Sequence, residues 1–159
     1  MTMYQKILVA IDGSDVGNAA FESALHLAKA ESAELFALYV IEYPKFYLPD
    51  VGYDPTPIYD ALVAESERIT READERLKQM GINGQSGVAD NFLTGTTTAE
   101  QIQHTADAFH ADLVVLGTHG RSGFKRLMLG SVAEAFVRIS TRPVLLVPQK
   151  IAVASPVTA

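Results

Sequence analysis

The sequence predicts an α/β protein built on a parallel sheet with helices on both faces. Four short runs of mainly apolar residues lie at positions 6–11, 35–41, 113–116 and 144–147. Because these runs lack polar alternation, they are typical of strands that are buried on both faces. Helical patterns separate them, and strands that alternate with helices indicate a parallel sheet with right-handed crossovers.

The first half of the chain alternates strand and helix twice. After the strand at 6–11, a helix is expected over residues 16–29, where apolar residues recur at helical spacing. After the strand at 35–41, residues 44–57 hold four of the seven prolines and predict a long surface loop. A second helix is then expected over 58–80, with Pro57 in its first turn and Gly81 at its end.

The second half of the chain continues the same alternation. Thr97 and Glu100 have the spacing of a capping box, which predicts the start of a third helix. The inner face of that helix would consist of Ile102, Ala106 and Phe109. A fourth helix is expected over residues 131–139, and Pro143 separates it from the last strand.

One more strand is needed between Gly81 and Gly95, where residues 86–93 offer the only space, although their apolar pattern is weak. We therefore expect a single domain over residues 1–148. Its doubly wound parallel sheet would have five strands in the order 3-2-1-4-5, as in Rossmann-like nucleotide-binding folds. Residues 149–159 show no periodicity, and we expect them to form a mobile tail.

Composition and charge exclude several classes of function. The chain has no cysteine, so a disulfide framework, a thiolate metal site and a cysteine nucleophile are all excluded. Its net charge of −6 argues against nucleic acid or an anionic membrane as the partner. No segment approaches the ~18 apolar residues of a membrane span, and the first residues are too short for a signal peptide. We therefore expect a soluble, cytoplasmic protein.

A glycine-rich segment follows the fourth strand. Gly117, Gly120, Gly130 and Ser131 form the pattern Gly-x2-Gly-x9-Gly-Ser, and three cations but no carboxylate lie between its ends. Glycines let backbone N–H groups approach an anion, and a helix start adds the positive end of its dipole. The segment therefore has the physical character of a phosphate cradle. The alternative is a long turn with a basic surface, in which Ser131 is an ordinary N-cap.

With this pattern, the chain resembles the ATP-binding branch of the universal stress protein family over roughly residues 3–148. The family's first strand and turn are matched at 6–14, its middle segment at 112–121 and its closing strand at 142–147. The resemblance implies a nucleotide-sensing module of the stress response that binds ATP, or AMP or ADP, with Mg²⁺ bridging the phosphates. It also implies a homodimer through the strand Val144–Val147. The alternative for that strand is that the tail folds back to cover it.

The resemblance also implies which residues bind the nucleotide. Asp12 would face the ribose or adenine, Ala10 and Ile11 would flank the base, and Val40 would contact the adenine. The ribose and phosphates would be held by Gly117, Thr118, Gly120, Gly130, Ser131 and Val132, with Arg121 balancing the phosphate charge. Two of these residues have alternative roles, because Asp12 is also suited to an Asx turn and Val40 to the core.

Catalytic and metal sites find little support in the sequence. No Gly-x-Ser-x-Gly elbow occurs, and the four histidines lack metal-ligand spacing. His119 lies in the glycine-rich segment, but without an orienting partner in the sequence it is expected to be an ordinary loop residue. Three hypotheses remain: an ATP-binding regulatory module, a slow ATPase or nucleotide-dependent transferase, and an interaction protein that binds no nucleotide.

Overall fold

A computed structural model describes residues 1–43, 54–92, 94–119 and 129–149. The strands are β1 (Lys6–Ile11), β2 (Glu34–Ile41), β3 (Gly84–Asp90), β4 (Leu113–Gly117) and β5 (Val144–Val147). The helices are α1 (Asp15–Glu31), α2 (Thr56–Met80), α3 (Thr98–Phe109) and α4 (Ser131–Ile139). All strand pairs are parallel and the order is β3-β2-β1-β4-β5, which confirms the predicted sheet. Most of the predicted loop at 44–57 and nearly all of the predicted tail lie outside the described residues.

Apolar side chains of the central strand point alternately to two layers of helices. Ile7 and Val9 of β1 belong to the core beneath α1 and α2. Leu8, between them, belongs to a second core that includes Ile102 of α3 and Phe136 of α4. Because both faces of the strand are buried, the strand needs no polar alternation, as the sequence predicted.

The third strand begins and ends earlier than predicted. The expected range of 86–93 is wrong, because β3 pairs with β2 from Gly84, which lies opposite Leu35, to Asp90, which lies opposite Ile41. A Cβ atom at Gly84 would collide with the carbonyl oxygen of Leu35, so the two backbones approach each other at a glycine. Glycine is unfavourable in strands, and this start is therefore set by pairing with β2 rather than by local preference.

Helix ends follow local capping, with small shifts from the predicted bounds. The Oγ of Ser14 accepts the N–H of Gly17 at 3.0 Å, so α1 begins at Asp15, one residue before the prediction. The same helix continues two residues past the predicted end and stops at Ser32, whose φ is 56°. Gly81, with φ of 64°, ends α2 as predicted.

The direction of strand addition changes between β1 and β4. From β1 the chain adds β2 and β3 on one side, and then returns to add β4 and β5 on the other. In an open α/β sheet, the crevice at such a switch point, beyond the carboxyl ends of the strands, is where ligands bind. The carboxyl ends of β1, β2 and β4 therefore define where a site is expected.

Candidate functional site

A pocket of about 240 Å³ opens at this switch point. Eight of the eleven residues predicted for the site line it: Ala10, Ile11, Asp12, Val40, Gly117, Gly130, Ser131 and Val132. Thr118 is not among the lining residues, although its two neighbours are. Gly120 and Arg121 lie outside the described residues. Residues that are far apart in the sequence thus meet at one place.

Asp12, the residue after β1, joins the pocket to the start of α1. Its Oδ1 accepts the backbone N–H of Ser14 at 2.9 Å and the hydroxyl of Ser14 at 2.5 Å. The Asx turn considered as the alternative role of Asp12 is therefore present. Asp12 also lines the pocket, so one carboxylate serves the turn and faces the site.

Glu42 places a second carboxylate at the pocket, one residue beyond β2. Its Oε1 accepts a short hydrogen bond from the hydroxyl of Thr98, the first residue of α3, and Thr98 also lines the pocket. The motif-based reasoning named neither residue. A signal was nevertheless present, because Glu42 is a charged residue directly after a buried strand, and such positions converge at the carboxyl edge of the sheet.

The first residues of α4 form the opposite side of the pocket. Gly130 is the N-cap, with φ of −60° and ψ of 152°, and no side chain caps the helix. The alternative in which Ser131 is the N-cap is wrong, because Ser131 is the first helical residue. The first N–H groups of a helix have no partner within it and carry the positive end of the dipole. This side of the pocket is therefore suited to an anion.

Gly117 brings the end of β4 against α1. A Cβ atom at this position would lie 2.6 Å from Cγ1 of Val16, a distance that side chains do not tolerate. The next residue, Thr118, continues the main chain toward α4, because its carbonyl oxygen accepts the N–H of Gly130 at 2.6 Å. The absence of a side chain at Gly117 thus lets the pocket form between α1, β4 and α4.

His119 is a pocket residue that sequence reasoning set aside for want of a partner. The structure supplies that partner, because Nδ1 of His119 lies 3.0 Å from the hydroxyl oxygen of Thr118. The other ring nitrogen, Nε2, is buried and has no hydrogen-bond partner among the described residues. A buried polar atom without a partner costs roughly 1–3 kcal/mol, so Nε2 is suited to a ligand atom in the pocket.

The polar groups of the pocket are arranged along the sheet. In the order β2, β1, β4, the strand ends contribute Glu42, then Asp12, then His119, and α4 follows with its N-terminus. Acceptors therefore lie on one side and hydrogen-bond donors on the other. Such a pocket fits an elongated ligand with hydroxyl or amine donors at one end and an anionic group at the other.

Other kinds of site find no support in the part of the chain that the structure describes. No group of three or more His, Asp or Glu side chains there is placed to bind a metal ion. None of the helices within these ranges is both long and apolar enough to cross a bilayer. A wider depression of about 350 Å³ lies on α2, but residues of that one helix form all of it, so no groups from different elements converge there.

Comparison with known proteins identifies relatives over almost the whole chain. The model of the universal stress protein family matches residues 3–148. Universal stress protein YxiE of Bacillus subtilis is 34% identical over 152 residues, which cover 91% of this chain and 99% of that protein. Universal stress protein MJ0531 of Methanocaldococcus jannaschii is 33% identical over 145 residues, which cover 91% of this chain and 82% of the relative.

Solved structures share the fold. A universal stress protein family member from Burkholderia pseudomallei has a TM-score of 0.77 and 34% identity, covering 93% of this chain and 98% of its own. A universal stress protein in complex with cAMP has a TM-score of 0.68 and 26% identity, over 94% of this chain and all of its own. One from Archaeoglobus fulgidus in complex with dAMP, at 21% identity, a TM-score of 0.64 and 92% and 99% coverage, shares the fold alone. The five-stranded sheet, the family match and these relatives together establish that the chain belongs to the universal stress protein family.

Proposed function

We propose that this protein is a regulatory module of the stress response that binds ATP, with AMP and ADP as alternative ligands. The observation that carries the proposal is the meeting of Asp12 with the glycine-capped start of α4 in one pocket at the switch point. The structural neighbour in complex with cAMP supports an adenine nucleotide as the ligand. The lack of cysteine fits action in a reducing cytoplasm.

In this proposal the nucleoside lies on the acidic side of the pocket. The carboxylate of Asp12 accepts a hydrogen bond from a ribose hydroxyl or from the adenine amine, which are both donors. Ala10, Ile11 and Val40 provide apolar contacts for the base. Glu42, held by Thr98, adds a second acceptor on the same side. Two carboxylates at this end repel phosphate, so they also set the direction in which the nucleotide binds.

The phosphates lie at the start of α4. Backbone N–H groups of Ser131 and Val132, the hydroxyl of Ser131 and Nε2 of His119 are the donors proposed there. Gly130 lines the same side, with its own N–H bonded to the carbonyl oxygen of Thr118. Gly117 keeps the end of β4 close, and Thr118 orients His119. Gly120 and Arg121 complete the proposed cradle. Mg²⁺ would bind through phosphate oxygens, since hard cations take oxygen ligands and the described residues offer no metal cluster of their own.

Binding rather than rapid turnover is the proposed activity. Both described carboxylates of the pocket already accept hydrogen bonds from protein hydroxyls, at Ser14 and at Thr98. Slow ATP hydrolysis or group transfer is the second candidate, and His119 is the observation that favours it. An imidazole held by Thr118 inside the pocket is the kind of group that transfers a proton.

Calorimetric titration with ATP, with and without Mg²⁺, tests the proposal, and the sharpest variant is Ser131→Pro. Proline is tolerated at the first helical position, and the extended backbone of Gly130 suits a residue that precedes proline. The change removes one N–H and one hydroxyl from the phosphate side. We expect ATP binding to weaken about ten-fold or more, since a hydrogen bond to a charged group contributes roughly 1.5–3 kcal/mol.

Asp15→Pro is the matched control, because Asp15 is also the first residue of a helix but is exposed and does not line the pocket. Its ATP affinity should equal that of the wild type. Failure of the wild-type protein to bind at millimolar ATP would contradict the proposal and favour an interaction protein without nucleotide. Production of several ADP molecules per second would favour an enzyme instead.

We also propose that two copies of the chain associate through β5. This strand is at one edge of the sheet, where its outer backbone groups have no neighbouring strand among the described residues. Leu145 of β5 is 39% exposed, and Val137 and Ile139 of α4 are 46% and 41% exposed. An apolar edge strand is a template for pairing with another copy.

A further inference from the structure

Gly17, the third residue of α1, is buried beside the carboxylate of Asp12. A Cβ atom at Gly17 would overlap Oδ1 of Asp12 and would lie 3.2 Å from both Cγ of Asp12 and Oγ of Ser14. Every residue other than glycine carries that atom. The space that the missing side chain leaves is therefore the space that the Asp12 carboxylate occupies.

Glycine is unfavourable in a helix, because it loses more backbone freedom there than any other residue. The φ of Gly17 is not positive, so its backbone conformation alone would accept alanine. Nothing in the local helix geometry requires glycine here. The close approach of Asp12 is the physical reason for its presence.

The hydroxyl of Ser14 links the same carboxylate to the helix. It donates to Oδ1 of Asp12 at 2.5 Å and accepts the N–H of Gly17 at 3.0 Å. The backbone N–H of Ser14 also donates to Oδ1, at 2.9 Å. One hydroxyl therefore caps α1 and holds Asp12, so the direction of the carboxylate is fixed by the first turn of the helix.

We propose that Gly17 and Ser14 are positioning residues of the nucleotide site, which act through Asp12 on the nucleoside half of the ligand. This inference rests on the proposed function. Gly17 also lines the pocket, and the nearest atoms to a Cβ atom at this position belong to Asp12 and Ser14, which lie on the proposed nucleoside side. A change at Gly17 should therefore alter recognition of the nucleoside and leave recognition of the phosphate chain intact.

The test compares ATP with inorganic tripolyphosphate, which has the phosphate chain without the nucleoside. Gly17→Ala should raise the dissociation constant of ATP about ten-fold, the equivalent of losing a hydrogen bond to a charged group. The dissociation constant of tripolyphosphate, measured by direct titration, should stay within error of the wild type. Asn18→Ala, an exposed change at the next position of the same helix, is the matched control and should alter neither.

Ser14 provides a second variant with a rescue. Ser14→Ala removes the hydroxyl that holds Asp12, and we expect it to weaken ATP binding as Gly17→Ala does. Ser14→Thr keeps the hydroxyl and should restore the affinity. A helix cap that acted only on stability would shift the melting temperature without changing the ratio of ATP affinity to tripolyphosphate affinity.

A double-mutant cycle separates positioning from a general structural effect. In an Asp12→Ala background the overlap with the carboxylate is gone and only the 3.2 Å approach to Oγ of Ser14 remains, so Gly17→Ala should cause no further loss of ATP affinity. Equal losses in both backgrounds, an unchanged affinity in Gly17→Ala, or an equal loss for tripolyphosphate would overturn the inference alone. No ATP binding by the wild type would overturn the proposed function and this inference with it.

Discussion

At the scale of single residues, His119 lines the pocket, and the neighbouring Thr118 orients its ring. Thr118 binds one ring nitrogen, the other is buried without a partner among the described residues, and His119 lines the same pocket as the first residues of α4. When the Thr118 hydroxyl donates to Nδ1, the proton of the neutral ring is on Nε2. The ring then presents a hydrogen-bond donor to a ligand oxygen. Thr118 thus contributes to the site without lining it.

His119→Ala should weaken ATP binding about ten-fold, because the phosphate oxygens lose one donor. Thr118→Val keeps the shape of the side chain but removes the orienting hydroxyl, so a smaller loss is expected. His104→Ala is the matched control, since His104 is an exposed residue of α3 away from the pocket lining. Isothermal titration gives the three affinities.

The same variants decide whether His119 binds or catalyses. If the imidazole is a proton-transfer group, His119→Ala will abolish slow ADP release while ATP affinity stays near the wild-type value. If it is a ligand donor, affinity falls and any residual hydrolysis at saturating ATP remains. Unchanged affinity together with unchanged hydrolysis would remove His119 from the site altogether.

Individual residues show which parts of the site can be predicted from the sequence. Gly117 and Ser131 were found because fixed spacing along the chain marks them, Asp12 was found through the family resemblance, and the fold brings the three together. Glu42 was not found, because its partner Thr98 is 56 residues away and the contact exists only in the folded chain. Motif spacing therefore finds the residues that act through the main chain better than those held by distant side chains.

At the scale of elements, α3 begins with a reciprocal cap. Oε2 of Glu100 accepts the backbone N–H of Thr97 at 2.7 Å, and Oγ1 of Thr97 accepts the N–H of Glu100 at 3.2 Å. Hydrogen bonds to the carboxylate, from the Thr97 backbone first and the Thr97 hydroxyl next, lower the pKa of Glu100 below its ordinary value of 4.5. The helix start thus depends on the ionised carboxylate.

The lowered pKa of Glu100 predicts how α3 responds to acid. A carboxylate with a lowered pKa stabilises the folded state above its unfolded pKa of 4.5, and this contribution is lost as pH falls through the folded pKa. Glu100→Gln should therefore have a lower melting temperature than the wild type at pH 7. The difference should shrink steadily below pH 4.5. Thermal unfolding followed by circular dichroism from pH 7 to pH 3 measures it.

Thr97→Ala is a second test of the same cap. It removes the hydroxyl that caps α3, and we expect it to lower the free energy of unfolding by about 1 kcal/mol at neutral pH. It should also reduce the pH dependence, since it removes the hydroxyl that helps to lower the pKa of Glu100. Melting curves of the wild type and Glu100→Gln that stay parallel at every pH would show that the ionised carboxylate contributes nothing.

Elements differ in how well the sequence predicts them. The start of α3 was predicted correctly because its capping box is local and uses four consecutive residues. The start of β3 was missed because Gly84 is poor in strands and its position follows from pairing with Leu35. Gly87 is likewise required by contact with β2, since a Cβ atom there would lie 2.6 Å from the ring of Phe36. Both glycines are explained only by the neighbouring strand.

At the scale of the whole molecule, the order β3-β2-β1-β4-β5 gives the sheet two edges with different surroundings. Beside β3, the carboxylate of Asp74 in α2 accepts the N–H of Ser86 at 2.7 Å, so a helix side chain binds the backbone of this edge strand. No such bond to the backbone of β5 occurs among the described residues. The edge formed by β5 is therefore the better candidate for pairing between copies.

Leu145→Glu should convert the proposed dimer into a monomer. It places a charge on the apolar edge strand, and burying that charge against a second copy is unfavourable. Val88→Glu is the matched control, since Val88 is an aliphatic residue on the opposite edge strand and is similarly exposed, at 45% against 39%. Sedimentation velocity should show a dimer for Val88→Glu and for the wild type. A chain that ends at Gln149 should also remain dimeric. If the wild type is a monomer and only this shortened chain dimerises, the tail covers β5 and the proposed interface is wrong.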